Sequence, residues 1–231
     1  MTSLLVADSF LLDDGRARGL DLHRERFLAS CADAGIDASA FWLDAVARLP
    51  RGGRWFPRVE LSADRELSLR LRPAPPLGGQ VRVSRYDGPD PRVAPAVKGP
   101  DLDVLGELKA LAAKEKQADE VLLTGTGGVV FEAAYSAVLW WEDETLCVPP
   151  ADLPVLASVT VRLLRSIAAE RGVRVAERRR TLDDLAGREA WLANALHGIR
   201  PVAAWIDGPP AGPIHHAPTW QLALRNTTHP I

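Results

Sequence analysis

Of the chain's 28 basic residues only four are lysines, and three of these, Lys109, Lys114 and Lys116, share one helical stretch. The fourth, Lys98, stands alone in Ala96-Val97-Lys98-Gly99-Pro100-Asp101. A lysine in a turn at a strand end that faces a cleft is desolvated, which lowers its pKa and makes it a Schiff-base nucleophile. The plain alternative is a solvated surface lysine. Glu132 follows the apolar run Val129-Val130-Phe131 and precedes Ala133-Ala134. A carboxylate in such a setting needs a partner, such as a buried cationic ring nitrogen, unless it is an exposed strand residue.

Two further segments have the chemistry of anion sites. Ser158-Val159-Thr160 opens a helical stretch, and the free N–H groups and dipole of a helix start attract anions. An ordinary N-cap reads the same way. Asn194-Ala195-Leu196-His197-Gly198-Ile199-Arg200-Pro201 has small residues that admit close backbone approach, and His197 and Arg200 are candidates for orienting an anionic substrate. The bland reading is a loop with a satisfied histidine. No G-x-x-x-x-G-K-[ST], G-x-G-x-x-G, G-x-S-x-G or H-E-x-x-H motif is present. His215-His216 has no neighbouring cysteine or carboxylate, so no metal site is read there.

The elements that must position these residues follow from periodicity and punctuation. Residues 4–12 read as a strand, 21–35 and 38–49 as helices, and 55–61, 67–72 and 80–86 as short strands. Residues 87–100 hold four prolines and two glycines and read as a seam with Lys98 at its far end. Beyond it come a helix at 103–117, strands at 120–124 and 129–131, and a hairpin of 137–141 with 145–148. A helix at 156–172, a strand at 173–178, a short helix at 182–186 and strands at 189–193 and 201–206 complete the reading. The division is 1–90 as a small N-terminal α/β unit and 91–231 as a larger C-terminal one.

At 231 residues, 47% apolar and 25% charged, the chain has the balance of a soluble globular protein. A net charge of −2 gives no broad pull toward nucleic acid or anionic membrane. No apolar stretch approaches a membrane span, and the first residues lack the basic start of a signal peptide. Two cysteines outside any C-x-x-C spacing point to a reducing cytoplasm.

In order and spacing these features resemble the class IV (fold-type IV) pyridoxal-phosphate enzymes, which include branched-chain and D-amino-acid aminotransferases and aminodeoxychorismate lyase. Leu22-His23-x-x-Arg26-Phe27 is similar to the family's H-x-x-R-[LF] helix, and Phe56-Pro57-Arg58-Val59 to its strand arginine. Lys98 matches the Schiff-base lysine, and Glu132 lies where the family keeps its pyridine-nitrogen glutamate. Ala118-Asp119-Glu120-Val121-Leu122-Leu123 resembles G-A-D-E-A-L-L, Val159-Thr160 the G-I-T phosphate turn, and Asn194-Ala195-Leu196 the N-[SA]-L turn of the lyase branch.

The resemblance implies an α/β (α+β) fold with a mixed, barrel-like sheet in the C-terminal domain, and pyridoxal 5'-phosphate as cofactor. It implies Lys98 as the catalytic residue. Arg26, Glu132, Ser158, Val159, Thr160, Asn194 and Ala195 would be the other cofactor contacts, with Arg58, His197 and Arg200 on the substrate side. It implies an amino-acid and keto-acid aminotransferase, alternatively 4-amino-4-deoxychorismate lyase, alternatively a non-catalytic relative, in each case a homodimer. The sequence departs from the family at Glu132-Ala-Ala-Tyr-Ser-Ala137, where E-G-x-x-S-N is common, at Ser158 for Gly, at Val161 for Arg, and in the family's first hairpin, which is largely missing.

Overall fold

The computed structural model describes residues 3–231. The chain begins with β1 (Leu4–Ser9), β2 (Leu12–Asp13) and β3 (Arg16–Arg18), followed by α1 (Leu20–Asp33) and α2 (Ser39–Ala47). Then come β4 (Arg54–Trp55), β5 (Arg58–Ser62), β6 (Leu67–Arg70) and β7 (Val81–Arg85). After the proline-rich segment lie α3 (Leu102–Lys116), β8 (Glu120–Thr124), β9 (Val130–Ala133), β10 (Ser136–Glu142) and β11 (Thr145–Val148). The last elements are α4 (Val159–Glu170), β12 (Arg174–Glu177), β13 (Ala190–Asn194), β14 (Gly198–Ile206), α5 (Ala217–Asn226) and β15 (Thr228–Pro230).

The N-terminal part is built on an antiparallel sheet, β1-β5-β6. His23, Phe27 and Cys31, one helical turn apart, give α1 a single buried face. That face packs with Phe10, Trp42, Val59 and Leu61 into one core cluster.

The second part is an 8-stranded mixed sheet, β12-β11-β10-β13-β14-β7-β8-β9, in which β9 pairs with β10 as well as β8. That extra pairing closes the ring β10-β13-β14-β7-β8-β9 and leaves β11 and β12 as a flap. Strand alternation sorts the core into layers. Val138 and Trp140 of β10 meet Val83, Leu122, Leu192 and Val202 on one face. Leu139 and Trp141 face the opposite way, onto α4 and α5 through Leu164, Ile167, Trp220 and Leu224. Val121 and Leu123 of β8 pack outward against Leu105 and Ala112 of α3. The expected α/β class and barrel-like sheet are what the chain forms.

The structure differs from the sequence reading at several points. The first strand ends at Ser9, and the chain then turns back through β2 and β3. The helix read within 156–172, with its start near Ser158 or Thr160, begins at Val159, where the Ser158 side chain caps it by accepting from Val161 N–H at 3.3 Å. The C-terminal helix α5 and strand β15 were not expected. Pro218 in the first turn and the Trp220/Leu224 pair one turn apart were its signals. β15 returns to pair with β3.

Candidate functional site

A cavity of about 320 Å³ lies where the N-terminal sheet meets the open rim of the barrel. That volume suits a small organic ligand. Lys98, Glu132, Ser158, Val159, Thr160, Asn194 and Ala195 all line it, as do Arg26, Arg58 and His197. Of the residues singled out in the sequence, Arg200 is the exception. It is buried and donates to Glu120 Oε1 at 3.2 Å.

Lys98 is placed by backbone rather than by a regular element. Its carbonyl accepts from Ala7 N–H of β1 at 2.6 Å. Gly99 follows with φ 148°, and a Cβ there would stand 2.9 Å from Val6 Cα, so the close pass against β1 requires glycine. Asp101 closes the loop by accepting from the N–H groups of Val93 and Ala94 at 2.9 and 3.0 Å. Burial, reinforced by the charges of Arg26 and Arg58 against those of Asp8 and Glu132, lowers the Lys98 amine to about 8.

Glu132 reaches the cavity from β9. Burial pushes its carboxyl up to about 7, against the pull of Arg92 and of a hydrogen bond from Leu156 N–H at 3.1 Å. Arg92 donates from Nη1 to Glu132 Oε1. Its other donors are held by both oxygens of Asp90 at 2.9 and 2.8 Å and by the carbonyl of Pro154 at 2.7 Å.

The start of α4 also lines the cavity. The first N–H groups of a helix have no acceptor within it, so Val159 and Thr160 present donors there. Arg26 stands beside them, donating to the Ala157 carbonyl at 3.0 Å and to both oxygens of Asp8 at 2.9 Å. His23 holds Asp8 from the other side, Nδ1 to Oδ1 at 2.8 Å. Burial works to raise the Asp8 carboxyl, but Arg26 and His23 overcome it and keep it well below the carboxylate range.

The turn after β13 is tied by its own asparagine. Asn194 Oδ1 accepts from Leu196 N–H at 3.1 Å and His197 N–H at 2.8 Å, while Nδ2 donates to Ser136 Oγ at 3.0 Å and the Tyr135 carbonyl at 3.2 Å. His197 Nδ1 accepts from Gly78 N–H at 3.2 Å, which puts its proton on Nε2. Burial, with Arg200, Lys109 and Arg18 nearby, lowers this imidazole to about 4.

Sequence reasoning missed Asp8, Arg72, Arg92, Lys109 and Tyr135, which complete the cavity or its supports, and saw Glu120 only as part of a strand motif. Glu120 is fully buried and accepts from Lys109 Nζ and Ser136 Oγ, each at 3.3 Å. For Arg92 a signal existed: an arginine two residues after an aspartate in a proline-rich segment. His216, set aside as a metal ligand, is stacked on Trp141 with centroids 3.8 Å apart.

The family model of class IV aminotransferases ("Amino-transferase class IV") matches residues 5–205. Among solved structures, a hypothetical aminotransferase from Mycobacterium tuberculosis superposes with a TM-score of 0.85 at 21% identity, covering 96% of this chain and 87% of that one. A putative 4-amino-4-deoxychorismate lyase from Legionella pneumophila gives 0.81 at 17% identity, covering 96% and 90%. A fold IV-transaminase from Curtobacterium pusillum gives 0.80 at 23% identity, covering 96% and 84%. At these identities the superpositions speak to the fold. No protein of curated function matches the sequence significantly. The family match extends over most of the chain, and the protein belongs to the class IV aminotransferases, a family of pyridoxal-phosphate enzymes.

Proposed function

We propose that this enzyme transfers amino groups between an amino acid and a keto acid, with Lys98 as its catalytic residue. One observation carries the reading. A lysine lowered to about 8 and a glutamate raised to about 7 line one cavity together with an arginine and a helix N-terminus. The residues fit pyridoxal 5'-phosphate. Arg26, the N–H groups of Val159 and Thr160, the Thr160 hydroxyl, Ser158 and the Asn194-Ala195 turn would hold the phosphate. Glu132, although engaged by Arg92 and Leu156, keeps lone pairs for a protonated ring nitrogen.

When bound, the cofactor supplies an electrophilic carbonyl carbon and an electron-withdrawing ring. Lys98 would hold the cofactor through its side-chain amine. The Lys98 amine, lowered to about 8, would carry a proton from and to the substrate α carbon. Glu132, whose carboxyl Arg92 pulls back toward its ionised form, would keep a proton on the ring nitrogen of the bound cofactor. Asp8 and His23 fix Arg26 in place. Arg58 and His197 stand on the substrate side, and Arg200 acts there through Glu120.

The lyase reaction, release of pyruvate from aminodeoxychorismate to give 4-aminobenzoate, is the second reading. The Asn194-Ala195-Leu196 turn and the likeness to the Legionella protein favour it. The chain is further proposed to work as a homodimer in the cytoplasm, a compartment suited to its free, buried Cys31 and Cys147.

The test has two parts. Protein loaded with pyridoxal 5'-phosphate should show an absorbance band near 420 nm that borohydride abolishes, fixing the label on Lys98, and Lys98→Ala should lack both. A panel of amino donors plus aminodeoxychorismate, followed by keto-acid and 4-aminobenzoate release, then separates transaminase from lyase. A band that survives in Lys98→Ala sinks the assignment.

A further inference from the structure

We propose that Glu120 and Lys109 form a subsite for the far end of the substrate, one that takes a neutral group able both to donate and to accept a hydrogen bond: a hydroxyl or a carboxamide. The inference deepens the proposed function and rests on the assignment of Lys98 given above. Lys98 and this pair line the same cavity.

Three elements build this wall. Leu102, Leu105 and Lys109 come from α3, Glu120 from the start of β8, and Tyr135 and Ser136 from the β9–β10 turn. Glu120 is 0% exposed to the outer solvent, yet it lines the cavity. Its donors all converge on one oxygen. Lys109 Nζ, Ser136 Oγ and Arg200 Nη2 reach Oε1 at 3.3, 3.3 and 3.2 Å. Among the described residues no donor reaches Oε2. A buried carboxylate oxygen without a donor is costly. The fold keeps this one beside a cavity, where a ligand can supply the missing hydrogen.

The neighbours decide what that ligand group must be. Lys109 donates once, to Glu120, and its Nζ lies 5.5 Å from the Tyr135 ring centroid. Tyr135 is itself fixed by donating to the Leu102 carbonyl at 2.9 Å. An ammonium has three donors, so Lys109 keeps hydrogens for an acceptor beside Oε2. Two cations, Lys109 and Arg200, already pair with the one carboxylate, and a third positive group would meet net repulsion. A ligand carboxylate would set its own charge against Oε2. A hydroxyl or carboxamide avoids both conflicts, giving its hydrogen to Oε2 and taking one from Lys109 onto its oxygen. Leu102 and Leu105 offer the carbon chain behind it only apolar contact, so the discrimination falls on the tip.

The experiment is calorimetric titration of the pyridoxal-phosphate-loaded enzyme with succinamate, 4-hydroxybutyrate, succinate and pentanoate, acids of similar length that carry no amine and do not react with the cofactor. Wild type should bind succinamate and 4-hydroxybutyrate on the order of ten- to a hundredfold more tightly than succinate and pentanoate. Glu120→Gln keeps the shape. The three donors at Oε1 hold the amide oxygen there, so the amide nitrogen stands in place of Oε2 and offers hydrogens instead of a lone pair. Succinate should then overtake succinamate, with pentanoate little changed. Lys109→Met leaves Oε2 in place and should cut the preference for succinamate over pentanoate by roughly tenfold, a second reading that stands if Glu120→Gln does not fold. Wild-type affinities for succinamate and 4-hydroxybutyrate within twofold of pentanoate, a wild-type preference for succinate, or an equal loss for all the acids in Glu120→Gln would each overturn the proposal. The 420 nm band is read on the same samples, so a failure of the Lys98 assignment is seen separately.

Discussion

Glu132 and Arg92, 40 residues apart in sequence, form an ion pair at the side of the cavity where the Arg92 side chain is only 1% exposed. The pair sets the charge of Glu132. Burial alone drives the carboxyl toward its neutral form, and Arg92 opposes that drive. In the proposed function a neutral Glu132 would have no charge with which to hold a proton on a ring nitrogen, so Arg92 would act on the site through Glu132.

Arg92→Gln should therefore raise the Glu132 carboxyl above about 7. Breaking a buried pair from one side costs about 3–5 kcal/mol, and a fall in melting temperature is expected. The informative readout is cofactor affinity against pH. In the variant, affinity should be weak at pH 7 and recover as pH rises and Glu132 ionises. Wild type should show the same rise at lower pH. Superimposable pH curves for the two proteins would contradict the role.

Lys98→Met removes a desolvated cation from the cofactor-free protein. Because the folded pKa is lowered, to about 8 from 10.5, the folded chain binds fewer protons than the unfolded one between these values. Wild-type stability therefore rises with pH across that window. Below it the ammonium is a fixed cost, and the methionine variant should be more stable by roughly 3 kcal/mol. This advantage should shrink from pH 8 to 10.5. Denaturant melts of both proteins at pH 7 and pH 10 test it, and a constant difference would show that Lys98 is solvated.

Asp8→Asn tests the clamp on Arg26. The carboxylate is fully buried and has an arginine and a histidine as partners. Its folded pKa is depressed, so its contribution is complete above the unfolded value of 3.8 and is lost as pH falls below it. The variant should lose about 3 kcal/mol at pH 7 and show a flatter acid limb than wild type. Its affinity for inorganic phosphate, measured by calorimetry, should drop as Arg26 loses its aim. A stability loss with phosphate affinity intact would reduce Asp8 to a core residue.

The residues legible in the sequence were those whose meaning is local or patterned. Lys98 was isolated by type, Glu132 by an apolar run, and Ser158 by its place before a helix. The residues that stayed hidden acquire their meaning from partners far along the chain. Asp8 looks like any strand aspartate until α1 brings Arg26 over it. Arg92 looks like one of many arginines until the seam folds it against β9. Arg200 shows the reverse. Its neighbours in sequence suggested a ligand-facing loop, but strand alternation turns it inward to Glu120 on β8. The fold was more legible than the site, since ring closure rests on runs of apolar alternation, whereas α5 was lost behind its polar surface positions.

Asn194 offers the last test, because one side chain holds the turn in four directions. Asn194→Ala removes two acceptor and two donor contacts, all part-buried. At about 1 kcal/mol for each, less what water regains, a loss of roughly 2–3 kcal/mol is expected. The turn should also loosen around His197, whose imidazole is held at about 4 mainly by burial. Exposure relieves burial, so its pKa should climb toward 6.5 in the variant, and the folded alanine protein should gain a proton there between pH 6.5 and 4. An NMR titration of His197 measures this directly. A shift with little loss of stability would mean that water replaces the asparagine, and an unshifted imidazole in a destabilised protein would mean that β13 and β14, not Asn194, hold the turn closed.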